Sequence, residues 1–190
     1  MNDTIFLIIA PSGAGKTTIT ERLEALYGLK SIQSYTTRPP RYEGETGHTF
    51  VSDEEFDNLT DIVAYTEFCG NRYCATSEQV DTHDLYVIDP KGVEFFKNAY
   101  HGDKQVRTIY IKSGMSVRYE RMKSRYENSG MTFSEATDET LTRIKNDNNE
   151  FREYELFGIA DFTVRNEESD IIDDVVDKVY NYIVSVREGV

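Results

Sequence analysis

A glycine-rich stretch near the start of the sequence, Ala-Pro-Ser-Gly-Ala-Gly-Lys-Thr at residues 10–17, has residue types and spacing suited to holding phosphate. It follows an apolar run at residues 5–9 and precedes a segment with helical periodicity, so we expect a strand, a tight turn and a helix. Gly13 and Gly15 let successive backbone N–H groups point inward, and the N-terminus of the helix adds to this anion site. The stretch therefore predicts a phosphate-binding loop.

The last two residues of this stretch add the groups that a nucleotide needs. Lys16 supplies a positive charge for the outer phosphates, and Thr17 supplies a hydroxyl that can ligate Mg²⁺. The sequence differs from the pattern G-x-x-x-x-G-K-[ST] only at its first position, which is Ala10. The alternative interpretation is an ordinary glycine turn before a surface helix. It leaves the position of Gly-Lys-Thr at the strand–helix junction unexplained.

The 190-residue chain is strongly acidic, with 34 Asp and Glu against 21 Lys and Arg and a formal net charge of −13. The length predicts a single domain. Such a surface repels nucleic acid and anionic membranes, so a phosphate site needs locally concentrated positive charge. Cys69 and Cys74 have no His or Cys partners at metal-ligand spacing, and we expect both to be reduced. We expect a cytoplasmic protein, because neither a run of membrane-spanning length nor a secretory leader is evident.

A second phosphate site is predicted where Arg38 and Arg41 flank two consecutive prolines. The prolines stiffen the turn, so both guanidinium groups stand on a rigid support. Guanidinium forks match pairs of phosphate oxygens, which makes this turn a candidate for holding a second phosphate. Two solvated arginines in a polar loop are the alternative interpretation.

A third basic region lies in the second half of the chain. Arg118, Arg121 and Arg125 share one face of a predicted helix, because they are three and four residues apart. Residues 126–130 interrupt this helix, and we expect helix again over residues 137–151. A basic, interrupted helical segment suits a mobile lid over a triphosphate. A solvated helical hairpin is the alternative.

The remaining pattern predicts an α/β fold, with about five strands alternating with helices around a parallel sheet. Gly28 is a predicted C-cap of the first helix, and residues 29–35 are predicted to be extended. Ser52 and Glu55 have the spacing of a capping box that opens a short helix.

One buried-type strand, residues 85–89, ends in Asp89, where a parallel sheet places ligand-binding groups. A cap before Pro90 is the alternative role for this aspartate. We assign the core to residues 1–33, 84–118 and 146–190, a strand-rich insertion to residues 34–83 and the lid to residues 119–145.

Four stretches together resemble the guanylate kinase family: residues 10–17, Ser-Tyr-Thr-Thr-Arg-Pro-Pro-Arg at 34–41, Phe-Val-Ser at 50–52 and Gly-Asn-Arg-Tyr at 70–73. The Thr-Thr-Arg-Pro-Pro-Arg part is specific, whereas the loop alone is shared with many P-loop NTPases. The resemblance covers nearly the whole chain. It implies a P-loop NTPase-type three-layer fold with an insertion that binds a nucleoside monophosphate (NMP) and a helical lid. It also implies transfer of the γ-phosphoryl group of Mg-ATP to GMP or dGMP.

The resemblance further implies roles for individual residues. ATP would be held by Ser12, Gly13, Ala14, Gly15, Lys16, Thr17, Thr18 and Asn166, with Thr17 on Mg²⁺. The NMP would be held by Ser34, Arg38, Arg41, His48, Glu67, Tyr73, Thr76 and Asp89. The catalytic residues would be Lys16, Arg38, Arg121, Arg125 and Arg143.

The departures from the family pattern cluster around the acceptor base. His48 stands where the family has a second tyrosine on the phosphate, and Ala64 stands where it has a guanine-reading glutamate, with Glu67 the nearest acid. Cys74-Ala75 replaces a Gly-Ser/Thr pair. Since lost hydrogen bonds to one base reduce discrimination, a kinase for another NMP or for a sugar phosphate remains an alternative to GMP or dGMP.

Two further classes compete with a kinase. Domains of this family can lose catalysis and bind phosphopeptides at the arginine site, although the intact Gly15-Lys16-Thr17 argues against that. A regulatory P-loop switch would hydrolyse ATP without an acceptor, and the paired arginines at 38 and 41 would then have no purpose. The sequence leaves the oligomeric state open.

Overall fold

Eight strands and eight helices follow one another along the part of the chain that the computed structural model describes, residues 3–40, 43–68 and 70–189. The strands are β1 (Thr4–Ile9), β2 (Ser34–Thr36), β3 (His48–Phe50), β4 (Ile62–Phe68), β5 (Asn71–Thr76), β6 (Leu85–Val87), β7 (Gln105–Lys112) and β8 (Phe162–Arg165). The helices are α1 (Lys16–Tyr27), α2 (Asp53–Asp57), α3 (Ser77–Thr82), α4 (Pro90–Ala99), α5 (Met115–Asn128), α6 (Phe133–Glu150), α7 (Arg152–Phe157) and α8 (Ile172–Glu188).

The core sheet is parallel and has the strand order β6-β1-β7-β8. Every residue of β1 is buried, as expected for a parallel strand that is covered on both faces. Ile19 of α1 and Val179 of α8 pack on one face of the sheet, and Phe96 of α4 packs on the other. The α/β class and the parallel sheet predicted from the sequence are therefore confirmed.

A second sheet, with the order β3-β2-β5-β4, is built entirely from residues between 34 and 76. Its β2 and β3 are parallel, whereas β2 with β5 and β4 with β5 are antiparallel. Ser52 and Glu55 form the predicted capping box at the start of α2. This sheet faces the carboxyl ends of the core strands across the cavity described below.

Several elements differ from the sequence-based expectation. The segment at residues 29–35 pairs with the core sheet only through an isolated bridge between Ser31 and Leu85, so most of it follows the sheet edge without a ladder. Helix α6 begins at Phe133 rather than at residue 137, because Thr132 and Glu135 form a capping box there. Short helices α3 and α7 were not predicted.

Candidate active site

The loop between β1 and α1 uses the left-handed backbone that its glycines permit. Gly13 and Gly15 have φ angles of 78° and 96°. A Cβ at Gly13 would lie 2.8 Å from the carbonyl oxygen of Arg118, and one at Gly15 would lie 2.3 Å from Nδ2 of Asn166. Both positions therefore require glycine, because a side chain would collide with α5 or with the segment after β8.

Lys16 begins α1, and its Nζ donates a hydrogen bond of 2.7 Å to the carbonyl oxygen of Ala10. Burial lowers the pKa of Lys16 to about 8; the carboxylate of Asp147 opposes this shift, and three nearby guanidinium groups, that of Arg143 foremost, add to it. Bound phosphates would place negative charge beside the ammonium and restore its proton affinity. The lysine is thus positioned for phosphates and holds its proton less firmly without them.

A buried ion pair between Arg118 of α5 and Asp147 of α6 lies directly against the loop. Arg118 Nη2 is 2.6 Å from Asp147 Oδ2, and the two side chains are 5% and 2% exposed. Asp147 Oδ2 also accepts the backbone N–H of Ser12 at 2.7 Å, and Arg118 Nε donates to the Ser12 carbonyl at 2.8 Å. Arg143, one helical turn before Asp147, donates from Nε to the Ser12 hydroxyl at 2.7 Å. Helices α5 and α6 therefore hold the loop at Ser12.

The other predicted arginines of this region lie in different surroundings. Arg121 Nη1 donates to the carbonyl oxygens of Gly13 at 3.3 Å and Asn166 at 3.2 Å, so this side chain packs against the loop and supports it. Arg125 is exposed, and its guanidinium lies 5.5 Å from the ring centre of Tyr126. Of the three predicted catalytic arginines from α5 and α6, the structure brings Arg143 to the cavity.

The remaining residues predicted to bind ATP surround the loop. Thr17 and Thr18 are exposed in the first turn of α1, and Ala14 is buried. Asn166 is also buried, and its Nδ2 donates to the carbonyl oxygen of Ala14 at 2.8 Å. Asn166 therefore supports the loop from beneath, and its contact with ATP stays a prediction.

A cavity of about 330 Å³ joins the loop to the second sheet. The residues that line it come from elements far apart in the sequence, and they include four of the eight residues predicted to bind the acceptor. Among them are Ser12 and Lys16 of the loop, Ser34, His48 and Tyr73 of the second sheet, Asp89, and Arg143, Asp147 and Glu150 of α6.

Arg38 adjoins this cavity beside Tyr73; its hydrogen bond with Glu45 raises the pKa of Arg38, and Tyr73 adds a smaller contribution. Its guanidinium forms a bidentate pair with Glu45, with Nη2–Oε1 at 2.8 Å and Nη1–Oε2 at 3.2 Å. The ring centre of Phe50 lies 5.3 Å from the same guanidinium. A ligand phosphate that is to bind Arg38 must therefore replace Glu45. Arg41, the second predicted arginine, lies outside the described residues.

His48 and Ser34 meet because they are paired in the register of β2 and β3. The Ser34 hydroxyl and His48 Nδ1 are 2.9 Å apart, and the His48 ring centre is 5.5 Å from that of Tyr73. The pairing places a hydroxyl, an imidazole and a phenol on one wall of the cavity.

Two predicted acceptor residues have other contacts. Glu67 is exposed, and its carboxylate accepts a hydrogen bond from the Tyr65 hydroxyl. Thr76 is the N-cap of α3, where its side chain accepts the backbone N–H of Gln79. Ala64 and Ala75 are buried and offer no side-chain polar group. Glu67 and Thr76 are not among the residues that line the cavity, so their contact with the acceptor stays a prediction.

Two carboxylates stand on the wall beneath the second sheet. Asp89 is the N-cap of α4, and its Oδ1 accepts the backbone N–H of Gly92 at 2.6 Å, so the cap interpretation is confirmed for a residue that also lines the cavity. Burial, with smaller contributions from Asp89 and Asp147, raises the pKa of Glu150. Glu150 and Asp147 were not predicted as site residues, since each is one acid among 34. Arg118 was predicted only as part of a basic helix face.

The donor set suits Mg²⁺ that arrives with a nucleotide. Within residues 3–40, 43–68 and 70–189 there is no group of three or more His, Cys, Asp or Glu side chains that could hold a metal ion. Mg²⁺ at nucleotide sites takes most of its ligands from phosphates and water, so the exposed hydroxyl of Thr17 fits the one protein ligand required. The same part of the chain contains no helix with the length and apolar character needed to cross a membrane.

A parallel sheet, a glycine-rich loop after its central strand and a lysine at the start of the next helix define a P-loop NTPase-type protein. A sequence model of the guanylate kinase family, described as "Guanylate kinase", matches residues 2–185, and the chain belongs to this family. The resemblance stated from the motifs is therefore confirmed.

Individual relatives agree with this assignment. The chain is 33% identical over 177 residues to a guanylate kinase of Neisseria gonorrhoeae, covering 86% of this chain and 80% of the relative. It is 41% identical over 108 residues to a guanylate kinase of Neisseria meningitidis, covering 50% and 52%. The crystal structure of guanylate kinase from Anaplasma phagocytophilum superimposes with a TM-score of 0.66 at 23% identity, covering 97% of this chain and 86% of that one, which supports the fold.

Proposed function

We propose that the protein transfers the γ-phosphoryl group of Mg-ATP to an NMP, with GMP or dGMP as the acceptor. The observation that carries this proposal is the cavity that joins Lys16 and Arg143 to the wall formed by Ser34, His48 and Tyr73. A hydrolase or a regulatory switch needs the phosphate-binding groups Lys16 and Arg143 but has no use for the second wall of the cavity. The names of the bacterial relatives support the same reaction.

The chemistry requires charge neutralisation and alignment more than covalent catalysis. A phosphate oxygen of the NMP attacks the γ-phosphorus, the bond to the β–γ bridging oxygen breaks, and ADP leaves with that oxygen. The attacking oxygen is already anionic, so no general base is required. Lys16 and Arg143 are placed to stabilise the charge on the transferring group, and the hydroxyl of Thr17 would hold Mg²⁺ with the ATP phosphates.

The acceptor base would be read by the carboxylates and hydroxyls of the cavity wall. Guanine offers N–H donors, and Asp89 and Glu150 are carboxylates on that wall. Ser34 adds a hydroxyl, whereas Ala64 contributes no polar group to the side where the family pattern has a glutamate. We therefore propose that guanine is read mainly from the Asp89 and Glu150 side.

A coupled ADP-release assay tests this proposal with Mg-ATP and a panel of acceptors: GMP, dGMP, AMP, CMP, UMP, dTMP and ribose phosphates. We expect GMP or dGMP to give the highest kcat/KM. Lys16→Met should lower kcat about 10²- to 10³-fold, because it removes a charge from the transferring group, whereas the exposed Lys30→Met is the matched control. A preference for another acceptor would contradict the guanine assignment. Tight ATP binding with no stimulated turnover would contradict the kinase assignment and favour a binding module.

A further inference from the structure

The Arg118–Asp147 pair takes up both backbone groups of one loop residue. Arg118 Nε donates to the Ser12 carbonyl at 2.8 Å, and Asp147 Oδ2 accepts the Ser12 N–H at 2.7 Å. Arg118 lies 106 positions after Ser12 in the sequence, and Asp147 lies 135 positions after it. The conformation of the loop at Ser12 is thus set by two side chains, one from α5 and one from α6.

The same carboxylate also faces Arg143 with its second oxygen. Asp147 Oδ1 is 3.6 Å from Arg143 Nε and 3.4 Å from the Ser12 hydroxyl, to which Arg143 Nε donates at 2.7 Å. Arg143 and Asp147 are four residues apart in α6, so they share one face of the helix. Ser12 and Asp147 therefore together fix the orientation of the Arg143 guanidinium at the cavity.

Stability alone does not account for this pair. A buried ion pair can often be replaced by apolar side chains of similar volume at no loss of stability, since removing two charges from water is itself costly. A carboxylate beside a phosphate site also repels the ligand's negative charge. An apolar pair could join α5 to α6, but it could neither accept the Ser12 N–H nor restrain Arg143.

We propose that Asp147, neutralised by Arg118, is a positioning residue for phosphoryl transfer. It fixes Ser12 and aims Arg143 at the transferring group without touching substrate itself. This inference rests on the proposed kinase function. It predicts that loss of the carboxylate lowers kcat far more than it raises KM for either substrate, because binding groups stay in place while the aim of Arg143 is lost.

The test compares Asp147→Asn and the double variant R118L/D147L with the wild type in the coupled assay. The double variant removes both charges together and so keeps α5 and α6 packed if the single variant fails to fold. Thr140→Val is the matched control, because Thr140 is buried in the same helix and its hydroxyl has no partner among the described residues. Far-UV circular dichroism confirms that each variant is folded.

We expect kcat to fall about tenfold or more in both Asp147 variants, with each KM within about threefold of the wild type and T140V unchanged. In an Arg143→Ala background, Asp147→Asn should lower kcat less than about twofold, since Asp147 acts through Arg143. If Asp147→Asn lowered kcat by the same factor with and without Arg143→Ala, the inference would be overturned. A wild-type kcat in folded R118L/D147L would overturn it as well. An inactive wild type would overturn the proposed function and this inference with it, whereas an active wild type with unaffected variants overturns the inference alone.

Discussion

Two arginine–carboxylate pairs flank the candidate active site, one on the phosphate loop and one on the second sheet. Arg118 and Asp147 join two helices to the loop, and their side chains are 5% and 2% exposed. Arg38 and Glu45 lie within a single connection, and their side chains are 11% and 7% exposed. The two pairs are therefore similar in chemistry and burial but differ in what else each arginine contacts.

The difference lies in the remaining donors of each guanidinium. Arg118 uses Nε on the Ser12 carbonyl and Nη2 on Asp147. Arg38 uses Nη1 and Nη2 on Glu45, but its buried Nε has no acceptor among the described residues. A buried donor without an acceptor costs free energy, so the Arg38 site gains from an anion that offers more oxygens than a carboxylate. The comparison suggests that Arg118 is a structural support and that Arg38 exchanges Glu45 for a phosphate.

The largest expected effect is a difference between the two pairs in how much the free energy of unfolding falls when the arginine is replaced. Arg118→Leu removes the close partner of the buried Asp147 carboxylate and leaves it only the more distant Arg143, at 3.6 Å, so we expect the free energy of unfolding to fall by about 3–5 kcal/mol. Arg38→Met should cost about 1 kcal/mol or less, because Glu45, although covered within the pair, is flanked by exposed residues, so its carboxylate can turn into water after the change. Urea unfolding followed by circular dichroism measures both values. Equal losses in the two variants would remove the distinction.

The second prediction concerns binding. Arg38→Met should raise KM for the NMP about 10- to 100-fold, because a charge-assisted hydrogen bond to phosphate contributes about 1.5–3 kcal/mol. KM for ATP should change little. Glu45→Gln is the informative control, because it weakens the competing partner and should leave acceptor KM unchanged or lower it. A rise in acceptor KM for Glu45→Gln that matches the rise for Arg38→Met would show that the pair acts only as a unit.

The smallest expected effect is a difference in pH dependence between ATP binding at the phosphate loop and acceptor binding at the second sheet. The pKa of Lys16 is lowered to about 8, and phosphates favour its charged form, so ATP binding takes up a proton above this pH. The Kd for ATP should therefore rise about tenfold between pH 8.5 and 9.5. Acceptor affinity, which depends on arginines that stay charged, should remain flat. Isothermal titration calorimetry measures both, and Lys16→Arg should abolish the slope for ATP.

Local signals were sufficient to predict the phosphate loop and the ends of two helices. Gly28 ends α1 with a φ of 66°, as expected for a helix C-cap, and Ser52 with Glu55 forms the capping box of α2. The phosphate loop follows β1 as predicted. These features were found because each depends on residues within a few positions of one another.

The parts of the site that escaped prediction depend on distant contacts. Asp147 and Glu150 have no local pattern that separates them from other acids of a solvated helix, and only the packing of α6 against the loop gives them a role. Arg121 has the spacing of a lid residue, but its guanidinium is directed to the carbonyls beneath the loop. Sequence spacing predicts a shared helix face, whereas the tertiary fold decides which end of a face meets the ligand.

The distance in sequence between the phosphate loop and its supports has a consequence for the order in which the chain acquires structure during synthesis. The loop at residues 10–17 is synthesised first, and Arg118, Asp147 and Asn166 follow at least 100 residues later. Asn166 Nδ2 contacts the Ala14 carbonyl from 152 positions away. A nascent chain that ends before β8 therefore lacks Asn166, one of the groups that shape the loop, so nucleotide affinity should reach its full value only after Asn166 has been synthesised.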